Sequence, residues 1–315
     1  MTNWKDTTLQ TLRLILRPWR ESDAEDLYRF ASDPLVGPPA GWPPHTDVEN
    51  SREIIRGVLS AEETYAVILR YDMEDAVNGG MIPAGTAVGS VGIMFKGHGS
   101  YPHIRENEAE IGYWIARPLW GRELIPEAVW AVMGRCFDVL GLERLWCGFY
   151  EGNQRSRRVQ QKCGFWAEGY QRIPPHPLNG ATTEYFSAVD RYRWLDMNAK
   201  PPATMEMTLR EAPFRAIQAG RKRVELRLCD EKRRMLRVGD CIRFRLEDQP
   251  IYHTVTVTGI RYFPDFEALY TALIPSLGAE ALGYAAEESP HPSDMLAYYP
   301  RDMVRRHGVL AIEIN

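Results

Sequence analysis

The stretch Glu108-Ala109-Glu110-Ile111-Gly112-Tyr113-Trp114-Ile115, continued by Pro118-Leu119-Trp120-Gly121-Arg122 and Pro126-Glu127-Ala128, decides how the chain is read. Alternation over 108–115 predicts a strand, and Gly121 marks a turn. From Glu127 to Leu140, Ala128, Val129, Val132, Met133 and Phe137 fall at helical spacing, with Gly141 as the C-cap. A strand that passes through a glycine turn straight into a helix makes an anion site. The helix N-terminus carries unpaired N–H groups and about half a positive charge. Gly121 lets the backbone come close to a diphosphate. Pro126 suits a first turn, where its missing N–H would have had no partner.

Upstream, Leu12 to Arg17 reads as a strand that stops at Pro18, and Ser22 opens an amphipathic helix through Leu27, Phe30 and Ala31. The five prolines between Pro34 and Pro44 predict a loop, and Asp47 caps a helix running through Ile54, Ile55, Val58 and Leu59. Strands are expected at Tyr65–Arg70 and Thr86–Phe95, with Asn78-Gly79-Gly80 turning between them and a polar loop over 96–107. Downstream come a strand at Leu145–Tyr150, a short helix at Ser156–Cys163, and two strands near 166–172 and 183–189. A mixed sheet with helices on its faces follows from that order. The apolar pattern lapses over 190–204, where Lys200-Pro201-Pro202 is extended and stiff, and restarts at Met205. The expected domains are 8–197 and 205–315.

About 30 residues after the glycine turn stands Asn153-x-x-Ser156-x-x-Val159-x-x-Lys162-Cys163-Gly164-Phe165. Together with Thr11-x-Arg13-Leu14-x-Leu16-Arg17, this ordered set resembles the GNAT superfamily, in its RimJ/RimL-like branch that acetylates ribosomal-protein N-termini. The resemblance implies an acetyl-CoA-dependent N-acetyltransferase that transfers acetyl directly to a primary amine, a protein N-terminus or a small molecule, with no covalent enzyme intermediate. It also implies that the strand ending near Ile115 splays from the strand ending near Tyr150, leaving a gap for the thioester. The cofactor residues it designates are Ile115, Trp120, Gly121, Arg122, Glu123, Asn153 and Lys162. Asn153 stands at the mouth of the gap, and Ser156 near the CoA sulfur, where it protonates or stabilises the departing thiolate. Glu110, or Glu108 two residues away on the same strand face, is the candidate general base, directly or through water. Tyr113 is a candidate for the acceptor pocket. The loop Pro38 to His45 roofs that pocket, with Trp42 positioned to stack on a substrate.

Two departures stand out. The family carries a second glycine where this chain has Glu123, and a carboxylate beside a diphosphate is unfavourable unless it points away. Many relatives place a tyrosine acid where this chain has Gln160, which leaves Ser156, a water, or no specific acid. Both departures keep open a non-catalytic reading, in which the N-terminal domain of an RNA-associated regulator senses CoA.

In the C-terminal segment, eight basic and three acidic residues lie between 221 and 237. Alternation over Lys222 to Leu228 assigns Val224, Leu226 and Leu228 to a core face, and Arg223, Glu225 and Arg227 to a polar one. Pro213-Phe214-x-x-Ile217-x-x-Gly220-x-Lys222, Glu225-x-Arg227, Gly239-Asp240, Tyr298-Tyr299 and Gly308-Val309-x-x-Ile312 resemble the ASCH family, a small PUA-like β-barrel with helices. The resemblance implies a cleft for RNA or a nucleotide-like ligand, contacted by Lys222, Glu225 and Arg227, with Tyr298 or Tyr299 for base stacking. Some relatives are acetylcytidine amidohydrolases that pair the lysine with a threonine three residues on. Here that position is Glu225, which weakens the hydrolase alternative.

The fold class is therefore α+β, a mixed-sheet GNAT fold followed by a smaller barrel. A net charge of −4 gives no whole-chain attraction to nucleic acid or anionic membrane. Five cysteines without CxxC spacing point to reduced thiols rather than disulfides or zinc, and no metal is expected. No apolar run approaches the ~18 residues a membrane span requires. With a polar N-terminus, the chain is expected to be cytoplasmic, and its oligomeric state is left open.

Overall fold

The computed structural model describes residues 4–99, 101, 103–199, 203–285 and 288–315. The Lys200-Pro201-Pro202 stretch expected as the boundary lies outside the described residues. Two compact units result, Met1–Ala199 and Lys200–Asn315.

The first unit contains β1 (Leu9–Gln10), β2 (Leu14–Pro18), α1 (Ala24–Ala31), α2 (Val48–Ile54), β3 (Thr64–Leu69) and a small hairpin, β4 (Met73–Glu74) with β5 (Met81–Ile82). Then follow β6 (Ala87–Phe95), β7 (Glu108–Ile115), α3 (Leu124–Gly134), β8 (Arg144–Tyr150), α4 (Gln154–Lys162), β9 (Trp166–Arg172), β10 (Thr183–Asp190) and α5 (Arg191–Ala199). Eight strands form one sheet in the order β1-β2-β3-β6-β7-β8-β10-β9. All its pairings are antiparallel except β7 with β8. That pair is held only at Glu108↔Arg144, Ala109↔Leu145 and Glu110↔Trp146. Beyond it the strands part, and α3 and α4 each leave the sheet on the far side of that opening.

Local chemistry accounts for most of these elements. Asp47 accepts from Asn50 N–H at 2.7 Å and starts α2 as expected. The helix then passes into a π-turn over Ile55–Leu59 that buries Ile55 but leaves Val58 exposed. Gly141 ends the α3 segment with φ +69°. Asn78-Gly79-Gly80 turns the β4–β5 hairpin, which alternation did not reveal. The segment 191–199 is helix α5 rather than patternless linker, because Trp194 is buried against Trp130 and Phe137 and donates to Asp138 at 2.9 Å.

The second unit contains β11 (Thr204–Leu209), α6 (Glu211–Gln218), β12 (Val224–Leu228), β13 (Cys241–Leu246), β14 (Tyr252–Phe263), α7 (Phe266–Leu277), α8 (Ala279–Leu282), α9 (Arg301–His307) and β15 (Val309–Ile314). Its five strands run β11-β13-β14-β15-β12, and a register shift at Val257/Gly259 in β14 lets the sheet curl. Val224, Leu226 and Leu228 face the core with Leu269, Leu273 and Val309. Among the described residues, no helix is long and apolar enough to cross a membrane.

One buried ionic cluster ties the large sheet to its helices. Glu63 is 1% exposed and takes both Arg135 nitrogens, Nη2 at 2.7 Å and Nε at 3.1 Å, while the Tyr65 hydroxyl donates to the same carboxylate. Removing the cation alone would strand a buried carboxylate. Arg135→Met is therefore expected to cost about 3–5 kcal/mol in urea unfolding. The paired change Glu63→Gln with Arg135→Met should recover a large part of that loss.

Candidate functional site

The parting of β7 and β8 opens a cavity of ≈ 360 Å³. Its walls are Tyr113, Trp114 and Ile115 of β7, the turn from Leu119 to Pro126 except Arg122, and Asn153, Arg155, Ser156, Arg158, Val159 and Lys162 around α4. Leu35, Val36, Pro39 and Ala40 close it from the proline-rich loop.

The turn is set from behind by Arg13, which is 3% exposed. Its Nη1 donates to Arg122 O at 2.8 Å and its Nη2 to Glu123 O at 3.2 Å, while Glu127 takes Nε at 2.7 Å. Peptide planarity then turns the following N–H groups, of Glu123 and Leu124, away from Arg13, where both residues line the cavity. Gly121, at φ +74°, makes the bend that leads in. Trp120 donates to Ile115 O at 3.1 Å, and the Arg155 guanidinium lies 3.8 Å from its ring centroid. These donors and the cations Arg155, Arg158 and Lys162 suit a polyphosphate.

At the inner end, Asn153 accepts from Ser156 N–H at 3.2 Å as the α4 cap and donates to Pro39 O at 2.9 Å, which joins the roof to the helix. Ser156 Oγ lies 3.1 Å from the Tyr113 hydroxyl and accepts from Gln160 Nε2 at 3.2 Å. Gln160 is 2% exposed, and its carbonyl accepts from Ser187. Burial pushes the Tyr113 phenol well above its ordinary value, and likewise the Cys147 and Cys163 thiols. All three stay protonated near neutral pH, so Ser156 is backed by neutral donors.

Of the residues expected from the sequence, the cavity brings together Ile115, Trp120, Gly121, Glu123, Asn153, Ser156 and Lys162. Arg122 is not among its lining; its guanidinium lies 3.6 Å from Glu74, and it serves the turn through its carbonyl. Glu110 is also not among the lining residues. It is 4% exposed and accepts from Tyr101 N–H at 3.0 Å, under a loop whose Tyr101 ring stacks on Trp146 at 4.0 Å. Glu108 accepts from Trp146 Nε1 at 2.9 Å. Trp42 packs edge-on against Trp114 at 5.7 Å rather than against the cavity. Arg155 and Arg158 carried no sequence signal beyond charge, and Arg13 showed only as part of a strand motif.

In the second unit Lys222, Glu225 and Arg227 do converge. Glu225 lies 3.3 Å from Lys222 Nζ and 3.0 Å from Arg227 Nη2, and Lys222 also donates to Leu282 O at 2.8 Å. Glu225 is 2% exposed, so this part of the polar strand face is enclosed rather than washed by solvent. Arg227 reaches the Tyr299 hydroxyl at 3.0 Å, and Tyr299 stacks on Phe266, while Tyr298 is exposed beside Arg210. Arg227 Nε is buried without a hydrogen-bond partner.

Residues 13–166 match the acetyltransferase (GNAT) domain model and residues 207–315 the ASCH domain model, so the chain joins a GNAT acetyltransferase domain to an ASCH domain. The first unit is thus an N-acetyltransferase domain. The chain is 28% identical over 180 residues to the uncharacterized N-acetyltransferase YoaA of Bacillus subtilis (strain 168), covering 54% of this chain and 93% of that protein. It is 28% identical over 170 residues to the uncharacterized N-acetyltransferase p20 of Bacillus licheniformis, covering 52% and 85%. Among solved structures, a GNAT-family acetyltransferase from Bacillus anthracis matches at 23% identity and TM-score 0.47, over 59% of this chain and 99% of that one. RimJ of Mycobacterium smegmatis, in complex with CoA-disulfide, matches at 21% identity and TM-score 0.46, over 63% and 98%.

Cys136, Cys147, Cys163 and Cys229 are buried, whereas Cys241 is half-buried. Alkylation of the native protein is expected to label Cys241 fast and the others only after denaturation. Rapid labelling of Cys147, read by peptide mass mapping, would mean that the space under Ser156 is open.

Proposed function

We propose that the chain transfers acetyl from acetyl-CoA to a primary amine, on a protein N-terminus or a small molecule, by direct attack in the opening between β7 and β8. The observation that carries this reading is the loss of β7–β8 pairing after Glu110↔Trp146, with a phosphate-suited turn at one end of the resulting cavity and Ser156 at the other. Ile115, Trp120, Gly121, Glu123, Asn153 and Lys162 surround the donor, with Arg122 shaping the turn through its backbone. Backbone N–H groups of the parted strand polarise the thioester carbonyl. Ser156, supported by Tyr113 and Gln160, stabilises the departing thiolate. Glu110 takes the amine proton through water, which requires the Tyr101 loop to admit the acceptor.

The ASCH unit binds RNA or a nucleotide-like ligand at Lys222, Glu225 and Arg227. Supporting this, the three charges lie together, and Arg227 also reaches the Tyr299 hydroxyl. The amidohydrolase alternative has less support, since Lys222 Nζ is engaged by both Glu225 and a carbonyl.

Calorimetric titration of acetyl-CoA into the intact chain, with Gly121→Asp as control, tests the donor site. Micromolar binding that the control loses is expected. Absence of binding by wild type and by Glu123→Gln alike would remove the transferase reading. Once an amine screen yields turnover, Ser156→Ala should lower kcat about ten- to a hundredfold with little change in KM for acetyl-CoA. Binding without turnover across peptides and polyamines would instead favour a CoA-sensing regulator. For the second unit, Arg227→Met should abolish single-stranded RNA retention in filter binding at low salt. Equal retention by wild type and variant would discard that site.

A further inference from the structure

Among the described residues, three other than glycine have positive φ, namely Glu63, Glu123 and Asp248, and of these Glu123 alone lines the cavity. Its backbone, at φ +61° and ψ +23°, lies in the left-handed region that a β-carbon disfavours. Arg13 holds its carbonyl at 3.2 Å, so the peptide cannot relax without disturbing the turn. Glu123 is the N-cap of α3, yet its side chain makes no capping bond there. Instead its Oε1 reaches 2.7 Å to Lys162 Nζ at the end of α4, and both residues line the cavity.

This arrangement sets a carboxylate among the cations that would meet a diphosphate. Lys162 comes from α4 and Glu123 from the turn before α3, so their ion pair ties together two parts of the cavity lining. We propose that the Glu123–Lys162 pair is a latch that the donor must open, and that Glu123 is an affinity-determining residue for acetyl-CoA. The inference rests on the cavity being the donor site. As phosphate reaches the turn N–H groups, the Lys162 ammonium passes from the Glu123 carboxylate to the phosphate oxygens. The carboxylate, left beside a polyanion, turns to solvent. Part of the attraction between Lys162 and the phosphate is therefore cancelled by breaking the existing pair, and donor affinity is held below what the same turn would reach without the carboxylate.

The test is a double-variant cycle, read by calorimetric titration of acetyl-CoA into the full chain: wild type, Glu123→Gln, Lys162→Met and the combination. Thermal unfolding of each serves as a folding control. Glu123→Gln should tighten binding roughly three- to tenfold, the scale of a half-exposed ion pair plus the relief of like-charge repulsion. Lys162→Met should weaken binding, and by a larger factor when Glu123→Gln is present, because the lysine then serves the phosphate alone. Glu123→Gly, which also relieves the backbone, should tighten binding at least as much as Glu123→Gln and raise the melting temperature. A wild type that binds normally while Glu123→Gln binds equally or more weakly overturns the latch and leaves the donor site standing. Equal losses for Lys162→Met in both backgrounds overturn it as well. No binding by any of these proteins overturns the donor-site reading and the latch with it. A silent wild type beside a binding Glu123→Gln is the latch in its strongest form.

Discussion

The turn at one end of the cavity in the first unit is organised by one guanidinium. Arg13 leaves the β1–β2 loop, is almost wholly buried, and holds two consecutive carbonyls of a turn more than a hundred residues away. Glu127 in the first turn of α3 neutralises it and also takes Arg13 N–H, so the start of the sheet, the turn and the helix become one rigid piece. A glycine turn alone is conformationally loose. The same turn with its carbonyls fixed has its N–H groups already oriented. Such preorganisation is what lets backbone dipoles act on a charged ligand without first paying to be aligned.

The second constraint is the short parallel pairing of β7 with β8. Three residue pairs hold the strands together near Glu108, and the divergence beyond them separates two chemistries. On one side of the sheet lie Tyr113, Cys147, Ser156 and Gln160, a set of neutral hydrogen-bonding groups. On the other lie Glu110 and Glu184, whose carboxylates flank Gly148. The missing side chain at Gly148 keeps the space between those carboxylates open, and burial together with their charge pushes the nearby Tyr150 phenol up. Charge and neutrality are thus sorted to opposite faces of the same two strands.

Much of the architecture was legible in the residues because it is locally encoded. Alternation in Glu108–Ile115, the Asp47 cap and the Gly141 stop depend on neighbours a few positions away, and each stands where expected. What escaped is what depends on distant partners. Glu63 and Arg135 are 72 positions apart and look like two surface charges in the sequence. Helix α5 has a weak apolar stripe and is secured chiefly by Trp194. Glu225 fell on the polar side of a strand, yet it is buried between Lys222 and Arg227. Glu110 was recognisable as a strand carboxylate, but the loop carrying Tyr101 lies over it, and nothing in 96–107 announced that loop as a cover. The site residues that line the cavity were found through motif order; the guanidinium that shapes it was visible only as one letter of an opening strand.

Gln160 has a consequence for how this sequence can change. Its amide joins Ser156, Cys147 and the Gly148 carbonyl on one side and Ser187 on the other, with almost no solvent exposure. A phenol ring at that position would need volume now occupied by Ser187 and Cys147, and would leave hydroxyl and carbonyl groups without their present partners. The chain therefore cannot reach a tyrosine there by one tolerated exchange. The order of substitutions matters, with smaller neighbours having to come first, and position 160 is tied by epistasis to β8 and β10.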